Sequence, residues 1–369
     1  MSFGKALEAA SRQIRPFFLP SHRRAFTAML ARGLTEQRPG EPLIVCDLAD
    51  VAIDAVGGRY YASMVRDFID AGYFPVFTAR RATVSSFVTS KKKSLLLGER
   101  MGVVRSMADL RQPYFLITDR LEPPPALAEK VVRVDYKPRL SRGAGEMELP
   151  FFVHPQIAKK VKLPHSYAVE ATRPVRIFFG GNTSDGRYDK DAIRDIYRML
   201  TRREMLATAT AAAAGRIAKP ADAAVWLASD AAQDFVMFET QRTKIPGERW
   251  IDALAKADFF LACPGVGMPL CHNLIETMAA GAVPILQYAA YLPVPLRDGI
   301  DCLGFRSADE LAGVIARVLA MSPAEVRPLR AGVRAYYDAH LAPGCFTRAL
   351  FGGDASRKTL LFNAYRVAR

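Results

Sequence analysis

One segment, from Phe259 to Ile285, constrains the fold of this 369-residue chain more than any other. It opens with an apolar run, Phe259 to Ala262, of the kind found in strands buried in parallel sheets. A loop containing Gly265 and Gly267 follows, and then an amphipathic segment from Cys271 to Ala280 that predicts a helix. Strand, glycine-bearing loop and helix in this order form the repeating unit of a doubly wound α/β sheet, in which ligands bind outside the carboxyl ends of the strands.

The loop and helix of this segment carry groups suited to a nucleotide. Gly265 and Gly267 allow backbone amides to approach a ligand closely, and a helix N-terminus near Cys271 suits a diphosphate. His272 and Glu276 are four residues apart and therefore share a helix face. A histidine in the first turn can donate to a phosphate oxygen, and a carboxylate one turn later can accept both hydroxyls of a ribose. The alternative is a His–Glu pair on a solvated helix face; the glycine-rich context favours the ligand site.

Short apolar runs alternate with helical patterns along most of the chain, which is typical of doubly wound sheets. We predict strands at Leu43–Cys46, Phe74–Thr78, Tyr114–Thr118, Val131–Val134, Val175–Phe179, Ala224–Leu227, Phe235–Phe238, Phe259–Ala262 and Ala282–Leu286. We predict helices at Tyr60–Ile69, Asp189–Arg203, Gly247–Lys256, Cys271–Ala280, Ala308–Ala320 and Ser356–Val367. The length suits two domains of ordinary size. We expect basic amphipathic helices over 1–40, Rossmann-like domains over 41–165 and 174–345, and a C-terminal helix within 346–369 that packs across the lobes.

The chain is strongly basic, with a formal net charge of +14 and a pI of about 9.7. Such an excess attracts polyanions of every kind. Because no nucleic-acid-binding motif accompanies the charge, an anionic substrate or an acidic membrane surface is favoured over nucleic acid. In the first forty residues, apolar residues recur at helical spacing beside lysines and arginines. This pattern favours helices packed on the domain, and it leaves open an interfacial patch that binds acidic lipid.

The five cysteines form no CxxC pair, so neither a disulfide framework nor a zinc site is implied. We expect no metal and no cofactor. The N-terminus lacks the pattern of a signal peptide, and the longest uncharged stretch, Thr277–Leu296, is broken by glycine and prolines. We therefore expect a cytoplasmic protein, with attachment to the inner face of the membrane as the alternative.

The residues from Cys263 to Ile285 resemble the nucleotide-sugar motif of exostosin-like glycosyltransferases. The resemblance implies the GT-B fold, an α/β architecture of two doubly wound Rossmann-like domains facing across a cleft. It also implies that Glu276 holds the ribose of a nucleotide-sugar donor and that His272 meets its diphosphate. The chain departs from the wider pattern at Met268, where many retaining GT-B enzymes carry a second glutamate.

Additional charges would offset the negative charge that develops on a departing nucleoside diphosphate. Arg187 and Lys190 follow the predicted strand at Val175–Phe179, and Lys244 precedes the helix predicted from Gly247. We predict all three to be donor-binding residues, and we attribute the Asp-x-Asp pattern around Lys190 to helix capping.

An inverting transfer requires a base that deprotonates the acceptor. Asp47, at the end of the first predicted strand, and His154, near the domain junction, are the candidate catalytic residues. Arg59 is a candidate for binding an anionic acceptor.

The sequence thus predicts transfer of a sugar from a nucleotide-sugar to a glycan or glycolipid acceptor, in surface polysaccharide or lipopolysaccharide synthesis. Two alternatives stay open: a sugar-nucleotide epimerase of the same fold, and a non-catalytic scaffold that binds nucleotide or glycan.

Overall fold

The computed structural model describes residues 11, 14–137, 143–161, 169–184, 191–353 and 357–362. Contacts among them divide the chain into two compact units. The first unit contains the described residues up to Pro150 and those from Pro343 onward, and the second contains Phe151–Ala342.

The elements are numbered along the chain. Those up to Pro150 are α1 (Pro20–Ala31), β1 (Leu43–Asp47), α2 (Ala55–Asp70), β2 (Phe74–Thr78), α3 (Arg81–Thr89), β3 (Gly102–Val104), β4 (Tyr114–Thr118), β5 (Ala128–Asp135) and β6 (Glu146–Glu148). The second unit contains α4 (Pro155–Ala158), β7 (Val175–Gly181), α5 (Asp191–Asp195), α6 (Arg202–Ala212), β8 (Ile217–Ala218), α7 (Ala223–Ala228), β9 (Gln233–Glu239), α8 (Trp250–Ala255), β10 (Ala257–Leu261), α9 (His272–Ala279), β11 (Val283–Leu286), β12 (Leu303–Gly304), α10 (Ala308–Ala320) and α11 (Pro323–His340). The last elements are α12 (Cys345–Phe351) and β13 (Arg357–Leu361).

The first unit is built on a parallel sheet with the strand order β3-β2-β1-β4-β5-β13-β6. Every residue of β1 and β2 is buried, as expected for strands in the middle of a parallel sheet that is covered on both faces. The chain leaves β1 for β2 on one side, whereas β4 lies on the other side of β1. The order therefore reverses between β1 and β4, which makes the carboxyl ends of these two strands the topological switch point of the sheet.

Helix α2 shows why the predicted helical pattern forms. Tyr60, Tyr61, Met64 and Phe68 recur every three or four residues, and each is at most 2% exposed. The helix ends just before Gly72, which adopts a φ of +88°, a conformation that glycine reaches at no steric cost.

The second unit is built on a parallel sheet with the order β12-β11-β10-β7-β9-β8. Its switch point lies between β7 and β10. The strands β9 and β8 extend the sheet on the β7 side, and β11 and β12 extend it on the β10 side. The predicted α/β fold with two doubly wound, Rossmann-like sheets is confirmed, and all but one of the predicted strands are present. None of the described helices is both long and apolar enough to cross a bilayer.

The C-terminal helix predicted from Ser356 is wrong over residues 357–361, which form strand β13. This strand inserts between β5 and β6, and Leu360 and Leu361 are completely buried there. Backbone pairing with β5 on one side and β6 on the other favours a strand here, because tertiary context outweighs the local helical propensity of the segment. The segment is also fixed through α12, since Asp67 of α2 accepts hydrogen bonds from the amides of Gly344 (2.7 Å) and Thr347 (2.8 Å).

Two further predictions are wrong in the second unit. The strand predicted at Ala224–Leu227 is helix α7, because Asp222 caps it by accepting from the amides of Ala224 and Val225. The single helix predicted over Asp189–Arg203 is replaced by α5 and α6.

Candidate functional site

The carboxyl ends of β7 and β10 meet at the switch point of the second sheet, and glycines shape both ends. A Cβ atom at Gly180 would lie 2.7 Å from the ring of Trp250, so the backbone of β7 packs directly on the indole. A Cβ atom at Gly265 would lie 2.7 Å from the carbonyl oxygen of Met268. The amide of Gly265 donates to Pro269 O (3.0 Å), which closes the loop after β10, and Gly267 is half-buried in the same loop. Gly265 is therefore required for the fold of the loop.

Arg202 joins the loops that follow these two strands. Its side chain is 6% exposed and donates from Nη1 to Asn182 O (2.9 Å) and from Nη2 to Pro264 O (3.0 Å). Thr201 caps helix α6 through a reciprocal pair of hydrogen bonds with Glu204, which places Arg202 in the first helical turn. The arginine was not predicted as a site residue, although the Thr-x-x-Glu spacing could have located the start of α6.

Beside Arg202 lies a cleft of about 440 Å³ in the second unit, a volume within the range of small-molecule sites. It opens at the carboxyl ends of β7, β8 and β9. Its polar lining includes Thr183, Ser184, Arg202, Arg203, Lys219 and Glu239. Three cationic side chains against one carboxylate make this a positively charged cleft, even though Lys219 and Glu239 form an ion pair of 2.9 Å.

Helix α9 begins at His272, as predicted within one residue, and is followed by Gly281 at a φ of +69°. Asn273 donates to Gly180 O (3.1 Å), which fixes the first turn of α9 against β7. The helix N-terminus is thereby held at the same edge of the sheet as the loop that contains Gly265.

His272 is 7% exposed, and its Nδ1 lies 2.5 Å from Phe152 O. A carbonyl oxygen only accepts, so Nδ1 carries the proton in this contact. The ring packs near those of Phe151 and His154, with centroid separations of 5.1 and 5.0 Å. A neutral His272 ring then has its lone pair on Nε2, and donation from Nε2 to a phosphate requires the imidazolium form.

Glu276 is 1% exposed, and both of its carboxylate oxygens accept hydrogen bonds from the protein. Oε1 accepts from the amide of His154 (3.0 Å), and Oε2 accepts from the indole Nε1 of Trp250 (2.7 Å). The carboxylate therefore links α9 to α8 and to the segment before α4. The predicted contact with a ribose stays a prediction; in this conformation each carboxylate oxygen already accepts one hydrogen bond from the protein.

The other predicted residues of the second unit lie in different settings. Lys244 is exposed on the segment between β9 and the short helix Gly247–Arg249. Arg187 and Lys190 lie outside the described residues.

His154, a candidate catalytic residue, belongs to the second unit, and its Nδ1 accepts from the amide of Gln156 (3.3 Å) at the start of α4. A neutral His154 then carries its proton on Nε2, which is a poor arrangement for a base.

Asp47 lies at the carboxyl end of β1, at the switch point of the first sheet, and is 1% exposed. It accepts from Thr78 Oγ1 (2.6 Å) and Arg80 Nε (3.0 Å), and Arg120 Nη1 lies 3.6 Å away. Burial alone would raise the pKa of Asp47. The hydrogen bonds from Arg80 and Thr78 and the charges of both arginines outweigh burial and hold the pKa below its ordinary value. A lowered pKa makes this carboxylate a weak base.

Arg59, the predicted acceptor-binding residue, is half-buried on α2. Its guanidinium lies 5.0 Å from the ring centroid of Tyr60 and donates to the Tyr60 hydroxyl (3.1 Å). Arg80 and Arg120 instead lie at the carboxyl edge of the first sheet, beside Asp47, and neither was predicted as a site residue. Each stands two residues after a predicted strand, and this position was the available signal.

Among the described residues, no group of three or more His, Cys, Asp or Glu side chains is arranged to hold a metal ion. The two parallel sheets identify this chain as an α/β protein, and its second unit contains the positively charged cleft beside Arg202.

No family model and no curated protein matches this chain. The solved structures that show a distant likeness to this chain include the three described next. A glycosyltransferase from Rickettsia africae ESF-5 is 11% identical over 85% of this chain and 100% of its own, with a TM-score of 0.43. WaaG, a glycosyltransferase involved in lipopolysaccharide biosynthesis, is 12% identical over 84% of this chain and 100% of its own, with a TM-score of 0.33. Anabaena Alr3699/HepE in complex with UDP is 10% identical over 83% of this chain and 96% of its own, with a TM-score of 0.36. The fold given above is defined by the strand orders of the two sheets, and not by these likenesses.

Proposed function

We propose that this chain is a nucleotide-sugar-dependent glycosyltransferase of the GT-B type and that its second unit binds the donor. One observation carries the proposal: Arg202 holds together the two loops at the switch point, beside a positively charged cleft of about 440 Å³. In doubly wound sheets nucleotides bind at the switch point, and the cleft opens next to it, at the carboxyl ends of β7, β8 and β9. The exostosin-like motif from Cys263 to Ile285 supports the same class.

The proposed chemistry follows from the charge that develops on the leaving group. When the bond between the sugar and the diphosphate breaks, the nucleoside diphosphate gains negative charge. Fixed cations and the N-terminus of α9 would stabilise it without a metal ion. We assign the loop that contains Gly265 and Gly267, together with His272, to the diphosphate; within this loop the Gly265 amide keeps its bond to Pro269 O and holds the loop in shape.

Additional cations are proposed to come from Arg187, Lys190 and Lys244, as the sequence predicts. Arg202 is a positioning residue, because both of its terminal nitrogens bind loop carbonyls. We propose that Glu276 also acts mainly as a positioning residue, since it fixes Trp250 and the backbone at His154. For the acceptor we propose a hydroxyl of a glycan or glycolipid that binds the first unit.

The decisive experiment follows nucleoside diphosphate release from a panel of sugar nucleotides, with and without candidate acceptors. Acceptor-dependent release is the expected result. Interconversion of the donor without release would favour an epimerase, and binding without turnover would favour a scaffold; either result would overturn the proposal.

Donor binding to two variants locates the site. Arg203→Gln removes a charge from the cleft lining and should weaken donor binding severalfold. Arg216→Gln removes an exposed arginine whose partner is Asp234, outside the cleft, and should bind donor normally. Equal affinity of both variants would place the donor elsewhere.

A further inference from the structure

The segment before α1 exposes several large apolar side chains in close succession. Ile14 is 54% exposed, Phe17 53%, Phe18 75% and Leu19 42%. Single exposed apolar residues are ordinary on protein surfaces, but four within six consecutive residues form a patch. A contiguous apolar patch of this kind indicates an interaction surface.

This patch is held on the first unit by contacts between α1 and α3. Ala25 and Met29 of α1 are buried, and His22 Nδ1 lies 3.3 Å from Ser85 Oγ on α3. The guanidinium of Arg81, at the start of α3, lies 5.2 Å from the ring centroid of Phe17. The apolar side chains therefore project from an anchored helical segment.

Val88 extends the surface on α3. It lies three residues after Ser85 and seven after Arg81, so all three share one face of the helix. That face contacts α1 through Ser85 and the preceding segment through Arg81. Val88 is 42% exposed. We refer to Ile14, Phe17, Phe18, Leu19 and Val88 as the apolar patch.

The sequence around the apolar patch is basic and lacks acidic residues. No Asp or Glu occurs between Glu8 and Glu36, and none occurs from Arg80 to Gly98. Among the described residues of these two stretches, the exposed cations are Arg15, Arg23, Arg24, Arg81 and Lys91. Exposed aromatic and aliphatic groups beside cations are complementary to an anionic bilayer, which offers phosphates above a hydrocarbon layer.

We propose that the apolar patch and the surrounding arginines bind the surface of an anionic membrane. Phe17, Phe18 and Leu19 enter the boundary between headgroups and acyl chains, while the arginines contact lipid phosphates. Nucleic acid would use the arginines and could stack on aromatic rings, but it offers nothing to Ile14 or Leu19. The inference does not depend on the proposed activity; with a glycolipid acceptor, it would bring the enzyme to its substrate.

The first test measures binding of the full chain to vesicles. We expect sedimentation with phosphatidylcholine vesicles that contain about 30% phosphatidylglycerol, and little with phosphatidylcholine alone. The double variant Phe17→Ser, Phe18→Ser should reduce the partition coefficient at least about tenfold. Leu121→Ser is the matched control, because Leu121 is 90% exposed in the same unit and outside the patch.

The second test removes charge. Arg23→Gln and Arg24→Gln should each reduce binding about fivefold, and added salt should weaken binding. Arg111→Gln, an exposed arginine of the same unit, is the control and should bind normally. Unchanged thermal unfolding of each variant verifies that the fold is intact.

Insertion is tested with Phe18→Trp, whose emission should shift to shorter wavelength on anionic vesicles, whereas that of Leu121→Trp should not. Absence of vesicle binding would overturn the inference. Equal loss of binding in the patch variant and in Leu121→Ser, or binding to RNA but not to vesicles, would do the same.

Discussion

Replacing Glu276 with alanine distinguishes a residue that holds the site together from one that only binds ligand. The substitution removes two hydrogen-bond acceptors from a buried position, at 2.7 Å from Trp250 Nε1 and 3.0 Å from the amide of His154. Hydrogen bonds to charged groups contribute about 1.5–3 kcal/mol each. Because these two are coupled through one side chain, we expect the free energy of unfolding of the second unit to fall by roughly 3–5 kcal/mol.

The chain itself provides a specific probe for this measurement. Its only two tryptophans, Trp226 and Trp250, lie in the second unit, so urea unfolding followed by tryptophan emission reports that unit. The emission of Trp250 should also change in the folded variant, because its indole Nε1 loses the carboxylate that accepts its hydrogen bond. Glu248→Ala is the control, since Glu248 is exposed and its ion pair with Lys160 lies at the surface. The unfolding curve of this variant should match that of the unaltered chain.

Glu276→Gln gives an intermediate test. The amide oxygen of glutamine can still accept from one donor, but its NH2 group then faces the other donor. We therefore expect a loss smaller than that of Glu276→Ala. If Glu276→Ala unfolds at the same urea concentration as the unaltered chain and yet loses donor binding, the positioning role is refuted, and the sequence-based assignment to the ribose is favoured.

Three further predictions follow from the same structure. Gly180→Ala should destabilise the second unit by about 1–3 kcal/mol, because the new Cβ would meet the Trp250 ring at 2.7 Å. Gly247→Ala is the control and should not destabilise it, because a Cβ there has no atom within 4 Å. Equal urea midpoints of the two variants would refute this prediction. Arg202→Gln should raise the KM for donor and accelerate amide hydrogen exchange in the loop after β10, and unchanged exchange would contradict its role there. The pKa of Asp47 is lowered in the folded chain, so its stabilisation is present above its unfolded pKa and is lost as the pH falls through its folded pKa. The free energy of unfolding of Asp47→Asn should therefore differ most from that of the unaltered chain near neutral pH, and the difference should shrink towards about pH 3. Urea unfolding followed by far-UV circular dichroism measures it. A difference that does not change with pH would contradict this prediction.

Periodicity made the central strands and α9 predictable from sequence. Their apolar runs are long enough to be buried on both sides, and Gly281 marks the end of the helix. The helix at Ala223–Ala228 was misread because a short apolar run fits a strand equally well. Its true signal was Asp222, a capping residue directly before the run.

The site was predictable only in part, for a physical reason. Sequence spacing places His272 and Glu276 on one helix face, but it does not reveal what comes to cover that face. The backbone at Phe152 and His154 lies more than a hundred residues away along the chain. Phe152 O contacts the ring of His272, and the amide of His154 donates to the carboxylate of Glu276. Arg202 was missed in the same way, since its two acceptors, Asn182 and Pro264, come from separate loops.

The position of β13 has a consequence for the order in which the chain folds. The described residues of the second unit all lie between Phe151 and Ala342, whereas the first unit lacks β13 and α12 until synthesis has passed Ala342. During translation, Phe151–Ala342 of the second unit therefore leave the ribosome before the first sheet can close. Until then the edge of β5 stays open to unwanted strand pairing, and Asp67 has none of its α12 partners.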